Sequence, residues 1–353
     1  MSRKLIIGIT VLAVLATFLF YSIVQAATDD FESYTDNQVL ADTDCYTFVS
    51  FPGVGAGDDG TCGQNKWEMD TGSVEAQEDS TGNMWGFLPN TDIFRLNTQD
   101  TTQDSVVTWR YKASEANNAA DVWLRYQTQY WLYIIQFDRN DGCIVAKRKV
   151  PTNTAASGQW GGVGAGHSAE IANAGVYYTL LLDEDTPVEA SSCNVDGITW
   201  TNAGTSTITH NGTLNGGTTY NFKATITTIP AATCGKAFDC TQLQLFRGGE
   251  LVASWTDDNS GKNFNGTRTV QQDCDAGWYT GVTGYQAAWC KPITAAGKSG
   301  FRNDDANQVW IDDFSMTEAG GGGEPEPDPP AGTGGMSLRK GVVKLQTGTI
   351  ILR

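Results

Sequence analysis

Two acidic residues near position 70 have the alternate spacing of carboxylates that cleave glycosidic bonds. Glu68 and Asp70 are two residues apart, so a strand would direct both side chains to the same face. Retaining glycoside hydrolysis needs two carboxyl groups about 5 Å apart. The third acid of such a pattern is missing, because Ser73 occupies its place and Glu75 lies two residues further on. The pattern favours acidic residues of an exposed strand, and Glu68 and Asp70 remain the candidate catalytic residues.

A second group of side chains has the residue types that bind sugars. In the predicted strand from Ala120 to Gln127, Trp123, Arg125 and Gln127 share one face. The opposite face carries Val122, Leu124 and Tyr126. An aromatic ring for the sugar face, with guanidinium and amide groups for the hydroxyls, is typical of carbohydrate sites. Arg110 on a neighbouring predicted strand would add a second guanidinium near Trp123. The structural alternative is that Arg125 covers aromatic surface while Trp123 packs under a loop.

Three acidic residues near the two ends of the predicted domain form a candidate calcium site. Asp30, Asp312 and Asp313 would supply the oxygen ligands that calcium prefers. The alternative is that solvent relieves their repulsion. Other metals and cofactors are not expected: the chain has two histidines and no Cys-x-x-Cys spacing, so its sequence does not favour zinc.

Period-two runs separated by turn residues predict an all-β protein. The 353 residues include 40 glycines and 11 tryptophans, and no helical periodicity of useful length occurs. The predicted strands are Ser105–Lys112, Ala120–Gln127, Tyr130–Asp138, Cys143–Lys149, Val176–Asp183, Thr219–Thr227, Thr241–Arg247, Leu251–Trp255 and Gln308–Met316. Tight hairpins are expected at Asp138–Gly142 and Arg247–Glu250. The order of the predicted strands is that of an antiparallel sandwich.

The N-terminus predicts export. Arg3 and Lys4 precede an uncharged, mostly apolar run from Leu5 to Val24, so residues 1–26 are either a cleaved signal peptide or an N-terminal membrane anchor. Both alternatives place the remaining chain outside the cell, secreted or at the cell surface. With 40 acidic and 23 basic residues the net charge is -17, which argues against a nucleic-acid partner.

Eight cysteines in an exported chain predict disulfides. They are Cys45, Cys62, Cys143, Cys193, Cys234, Cys240, Cys274 and Cys290. The sequence leaves their connectivity open. The simplest hypothesis pairs neighbours, which joins Cys45 to Cys62, Cys143 to Cys193, Cys234 to Cys240, and Cys274 to Cys290.

Composition divides the exported chain into three parts. Residues 27–319 are expected to form one domain, with an insertion carrying one strand pair near 150–218. A Gly- and Pro-rich linker follows at 320–335. The basic tail at 336–353 contains hairpin-sized apolar runs, which are marginal alone and would add to a sheet edge of another copy or a host surface. The alternative is a disordered remnant.

Several runs resemble the concanavalin A-like lectin/glucanase jelly roll, and within it the laminin-G-like and 3-keto-disaccharide-hydrolase-like domains of secreted bacterial proteins. They are VTWRYKA, VWLRYQTQYWLYIIQFDRNDGCIVAKRKV, YNFKATI, LQLFRGGELVASWTDD and GKSGFRNDDANQVWIDDFSM. The resemblance covers roughly residues 29–316, and the opening Asp29–Tyr34 is similar to a first strand that lies beside the last, here Trp310–Phe314. It implies an antiparallel β-sandwich that recognises glycans or a surface partner. The alternatives are a secreted glycoside hydrolase and a structural appendage, coat or virion-surface subunit.

Overall fold

The structure is a computed structural model that describes most of the expected domain. The described residues are 27–42, 67–71, 74–89, 93–96, 103–114, 120–128, 131–139, 143–151, 175–182, 206–208, 214–263, 269–276, 287–303 and 308–319. The N-terminal segment 1–26, the linker 320–335 and the tail 336–353 lie outside them. Backbone contacts divide the chain into Met1–Gly323 and Glu324–Arg353, and every described residue belongs to the first unit. None of the described helices is long and apolar enough to cross a membrane.

Strands dominate the described residues. They are β1 (Ala27–Asp29), β2 (Ala41–Asp42), β3 (Trp67–Thr71), β4 (Glu75–Glu78), β5 (Met84–Leu88), β6 (Ile93–Leu96), β7 (Ser105–Ala113), β8 (Ala120–Thr128), β9 (Trp131–Arg139), β10 (Cys143–Pro151), β11 (Gly175–Leu182), β12 (Ser206–Ile208), β13 (Tyr220–Ile229), β14 (Cys240–Arg247), β15 (Glu250–Asp257), β16 (Lys262–Asn263), β17 (Lys298–Asn303) and β18 (Val309–Glu318). The short helices are α1 (Ala231–Cys234), α2 (Val270–Asp275) and a 3-10 turn at Ala287–Cys290. The all-β prediction is confirmed.

These strands form two sheets that pack as a sandwich. Sheet A has the order β12-β15-β14-β13-β7-β18-β5-β4, and β1 pairs with β18 beside this path. Sheet B has the order β16-β11-β10-β9-β8-β17-β6-β3-β2. Neighbouring strands are antiparallel, as predicted, except that β2 and β3 run parallel. The antiparallel sandwich that the family resemblance implies is therefore present.

The core lies between the sheets and follows from period-two patterning. Along β7 every alternate residue from Ser105 to Ala113 is buried, while the residues between them are partly exposed. Trp67 at the centre packs against Phe31, Phe301 and Phe314, with ring centroids 5.9, 6.4 and 5.1 Å away. Aromatic packing of this kind holds the two sheets together.

The nine predicted strands are all present, with ends that differ by at most two residues. Two described strands, β11 and β12, lie within the region 150–218, where one strand pair is expected, and most of the remaining residues of that region lie outside the described ones. β11 pairs with β10 and β16 in sheet B. β12 instead pairs with β15 in sheet A. Periodicity identified the first of these strands but carries no information on which sheet it joins.

The first strand pairs with the last, as expected, but it lies earlier in the sequence than predicted. β1 ends at Asp29, which lies opposite Phe314. Phe31 then adopts a positive φ of 56°, which ends extended structure and turns its ring into the core. The buried Asp29 carboxylate accepts hydrogen bonds from Trp67 Nε1 at 2.6 Å and from the Tyr34 hydroxyl at 3.0 Å. Because Trp67 belongs to sheet B, Asp29 connects the two sheets.

Two of the predicted disulfides are present. Cys234 is joined to Cys240 and Cys274 to Cys290. The second links α2 to the 3-10 turn. Cys45, Cys62 and Cys193 lie outside the described residues, so the other two pairings stay predictions. The hairpin at Arg247–Glu250 is also confirmed, since Gly248 and Gly249 both have the positive φ that a two-residue hairpin turn needs.

A charged network crosses the inter-sheet core. Arg148 of β10 and Asp257 of β15 are both fully buried and form an ion pair at 2.7 Å. The Tyr133 hydroxyl of β9 donates to the same carboxylate at 2.7 Å and accepts from the Ile293 backbone N–H. Burial and the Asp257 carboxylate raise the pKa of this hydroxyl above its usual value. These groups connect the two sheets. Removing one member would leave an uncompensated buried charge.

Candidate functional site

Sheet B has a second face, directed away from the inter-sheet core. Along β8, Val122 and Leu124 belong to the inter-sheet core, whereas Trp123 between them belongs to a separate buried cluster. We call this surface of sheet B the second face. Its described members are Asp121, Trp123, Tyr126, Leu132, Ile134, Gln136, Lys147, Lys149 and Arg302. It is buried, and it combines apolar side chains with charged and polar ones.

Polar side chains form a row across four neighbouring strands of this face. Arg302 of β17 lies opposite Asp121 of β8, and Asp121 in turn lies opposite Gln136 of β9. Arg302 Nη1 is 3.7 Å from Asp121 Oδ2. On the next strand Lys147 Nζ donates to Gln136 Oε1 at 3.2 Å. With adjacent strands about 4.8 Å apart, the row runs for about 14 Å perpendicular to the strands.

An aromatic pair lies next to the polar row. The Trp123 and Tyr126 rings are stacked, with centroids 5.7 Å apart and planes 6° from parallel. Leu132 and Ile134 complete the apolar cluster. Trp123 is 4% exposed, and no described residue accepts a hydrogen bond from its indole N–H. The second face therefore combines an apolar floor with a line of donors and acceptors.

A bulge in β8 changes the predicted binding surface of Trp123, Arg125 and Gln127. The pairing of β8 with β9 shifts between Leu124 and Thr128, and Arg125 has a positive φ of 46°. The side chain of Arg125 therefore turns into the sandwich, where it is 1% exposed. Tyr126, expected on the opposite face, joins Trp123 instead. Because Arg125 turns into the sandwich and Trp123 is 4% exposed, Trp123, Arg125 and Gln127 do not form one exposed surface.

Arg125 acts as a connection between structural elements. Its guanidinium donates to Thr241 Oγ1 at 2.9 Å and to Thr228 Oγ1 at 2.8 Å, both on sheet A. It also donates to the backbone carbonyl of Ile293. Asp104 supplies a countercharge at 2.8 Å. Burial lowers the pKa of this guanidinium, and the Asp104 carboxylate opposes that change.

Gln127 and Arg110 also lie away from the predicted binding surface. Gln127 Nε2 donates to the carbonyl oxygen of Ala296 at 2.6 Å, so this side chain fixes the segment before β17. Arg110 belongs to sheet A, whereas Trp123 belongs to sheet B. The two residues cannot be strand neighbours, because the chain passes from one sheet to the other between β7 and β8.

On the outer surface of sheet A, Arg110 is part of an aromatic and cationic array. Its guanidinium lies over the Trp85 ring at 4.6 Å and pairs with Asp312 at 2.8 Å. Lys112 Nζ lies 4.6 Å from the Trp85 ring and 4.9 Å from the Trp310 ring. Burial lowers the pKa of the Lys112 amine. Because the cations already cover the ring faces, we interpret this array as a stabilising cross-strand arrangement.

The two catalytic candidates lie on one strand, and the next acid along the chain lies in the other sheet. Glu68 and Asp70 lie on β3 of sheet B, whereas Glu75 lies on β4 of sheet A. The pairing of β3 with β6 also shifts between Met69 and Thr71, which places a bulge at Asp70.

Asp30, Asp312 and Asp313 are not brought together as metal ligands. Among the described residues no three acids, histidines or cysteines are grouped closely enough to hold a metal ion. The Asp312 carboxylate binds Arg110 and accepts from Asn83 Nδ2 at 3.0 Å. Asp30 accepts a hydrogen bond from the backbone N–H of Glu32. These contacts direct the carboxylates to protein donors.

The charged members of the second face were not singled out from the sequence. Gln136 does interrupt an otherwise apolar run in β9, and Lys147 and Lys149 alternate in β10. These are the signals that could have identified them. Asp121 and Arg302 are far apart in sequence, so only the strand register brings them together.

Comparisons with known proteins do not assign this chain to a family. No protein-family model and no curated protein matches it. Solved structures with partial likeness include a glycosyl hydrolase candidate from Parabacteroides distasonis, with 11% identity, a TM-score of 0.32, and 72% of this chain and 79% of that chain covered.

Two further structures show a similar degree of likeness. A Bacillus subtilis protein of unknown function with a galectin-like fold has 12% identity and a TM-score of 0.28, covering 71% of this chain and 89% of that chain. The exolytic PL7 alginate lyase of Zobellia galactanivorans has 8% identity and a TM-score of 0.31, covering 72% and 89%. At these TM-scores the matches establish neither a shared fold nor a shared function.

Proposed function

We propose that this protein binds carbohydrate on the second face of sheet B. The observation that carries the proposal is the row of Arg302, Asp121, Gln136 and Lys147 beside the stacked Trp123 and Tyr126 rings. Carbohydrate sites combine an apolar surface with a few placed polar groups that bind hydroxyls. The second face has both components on neighbouring strands.

Polar and charged side chains on this face are the second support for the proposal. Each buried charge has a desolvation cost that an apolar side chain would avoid. Lys147 and Lys149 are each 8% exposed, Asp121 is 2% exposed and Gln136 is 1% exposed.

Affinity electrophoresis against a panel of neutral and acidic polysaccharides tests this function. We expect the wild-type protein to be retained by at least one polysaccharide, and Gln136→Ala to weaken that binding at least tenfold. Gln244→Ala is the matched control, since Gln244 lies on the outer surface of sheet A and accepts a hydrogen bond from Thr225. Circular dichroism and thermal unfolding check that both variants are folded.

Retention of no polysaccharide, or equal weakening by both variants, would contradict the proposal. Reducing-sugar release in the same samples distinguishes binding alone from glycoside hydrolysis. Release that persists in Glu68→Gln and Asp70→Asn would exclude these two acids as the catalytic pair.

A further inference from the structure

A lysine, a glutamine and an aspartate are neighbours on three adjacent strands of sheet B. Lys147 of β10, Gln136 of β9 and Asp121 of β8 are 8%, 1% and 2% exposed. Lys147 Nζ donates a hydrogen bond to Gln136 Oε1 at 3.2 Å. Asp121 lies directly opposite Gln136 in the pairing of β8 with β9. An amine, a carboxamide and a carboxyl group are therefore buried side by side.

The hydrogen bond brings the amine close to the carboxamide carbon. With that separation and a C=O bond of about 1.23 Å, Lys147 Nζ lies at most about 4.4 Å from Gln136 Cδ. Bond formation needs an approach of about 3 to 3.5 Å, which a small side-chain rotation supplies. The strand register holds the two backbones in place, since Lys147 pairs with Ile134, two residues before Gln136.

Burial favours a reaction between these two groups. An ammonium ion removed from water has a large desolvation cost, which favours the neutral amine, and the neutral amine is the nucleophile. Conversion of the amine to an amide removes the buried charge altogether. Because one amide bond replaces another, the fixed proximity of the two side chains decides whether the exchange occurs.

We propose that Lys147 and Gln136 form a covalent isopeptide cross-link between β10 and β9. The Lys147 nitrogen attacks Gln136 Cδ, a new C–N bond forms, and the bond from Cδ to the Gln136 amide nitrogen breaks. One proton passes from the attacking nitrogen through the Asp121 carboxylate to the departing nitrogen, which leaves as ammonia. Asp121 ends as it began, and no other reactant is consumed.

The cross-link goes beyond carbohydrate binding and does not depend on it. The new amide keeps a carbonyl oxygen that accepts hydrogen bonds and an N–H that donates one, so the polar row on the second face is retained. The change concerns β9 and β10, which become joined through side chains eleven positions apart in the sequence.

Mass spectrometry of the purified protein, after reduction of its disulfides, tests the proposal. We expect the intact mass to be lower than that of the sequence by one ammonia. Trypsin does not cleave after an acylated lysine, so digestion should leave one branched peptide in which residues 126–139 are joined to residues 140–148. Fragmentation should place the link at Gln136 and Lys147.

Variants test the role of each group, with circular dichroism as the check of folding. Lys147→Arg and Gln136→Leu should each restore the full mass and release the two peptides separately. Lys149→Arg is the matched control, because Lys149 is equally buried on the same strand but lies opposite Leu132, and it should keep the cross-link. Asp121→Asn should lower the cross-linked fraction at least tenfold.

The wild-type protein alone can overturn the inference, whether or not a variant folds. An intact mass equal to that of the sequence, with residues 126–139 and 140–147 recovered as separate peptides, would reject the cross-link. Loss of ammonia located at any other residue would also reject it. An undiminished cross-linked fraction in folded Asp121→Asn would reject the proton transfer through this carboxylate. Polysaccharide retention is a separate measurement, so the two proposals can fail independently.

Discussion

Three polar neighbours and burial determine the pKa of the Asp312 carboxyl group. Arg110 and Asn83 contact one oxygen, and the Asp313 backbone N–H donates to the other at 2.7 Å. Burial nevertheless raises the pKa of Asp312 to about 6, and the Asp313 carboxylate adds to the rise. The folded state therefore binds this proton more tightly than the unfolded chain does.

The raised pKa predicts how stability depends on pH. A folded-state pKa above the unfolded value gives a contribution that is fully present below about pH 4 and is lost as pH rises through about 6. We expect Asp312→Asn to flatten the dependence of the free energy of unfolding on pH between 4 and 6. Urea unfolding across that range measures it, with the exposed Asp239→Asn as control. An unchanged slope in Asp312→Asn would show that this carboxyl does not titrate there.

At the scale of single elements, the bulge in β8 determines which side chains reach the second face. Arg125 sits in the bulge with φ 46° and anchors it through Thr241, Thr228 and Asp104. The side chains before and after it, Trp123 and Tyr126, consequently share one face although they are three residues apart in a strand.

Arg125→Met tests whether this residue stabilises the fold. Removing the guanidinium removes its hydrogen bonds to Thr241, Thr228 and the Ile293 carbonyl, and we expect the free energy of unfolding to fall by about 1.5 to 3 kcal/mol. Arg247→Met, a change on the partly exposed rim of sheet A, should cost less than about 1 kcal/mol. Urea unfolding of both variants makes the comparison. Similar stability of Arg125→Met and wild type would reject the anchoring role.

The same bulge explains why sequence reasoning located the strands but not the site. Alternating burial in β7 follows directly from its period-two pattern, and β7 begins at the predicted residue and ends one residue later than predicted. A single extra residue in β8 reverses the alternation, however, and nothing in the local pattern marks Arg125 as that residue. Arg110 was misplaced for another reason, since alternation does not reveal to which sheet a strand belongs.

At the scale of the whole molecule, charge and architecture define two different surfaces. Sheet A presents an outer surface where cations lie over aromatic rings and pair with acids, as Arg110 does with Trp85 and Asp312. The second face of sheet B instead holds Lys147 and Lys149 together at its centre. The sandwich thus has two polar surfaces that differ in composition, and the second face combines lysines with the stacked Trp123 and Tyr126 rings.

A crystal structure of the protein with an oligosaccharide from the retained polysaccharide is the most direct measurement of the central claim. We predict that the sugar lies on the second face and extends across β8, β9 and β10. Its hydroxyl or acidic groups should lie within hydrogen-bond distance of Gln136 and Lys147. A sugar bound on the outer surface of sheet A, with the second face unchanged from the free protein, would contradict the account.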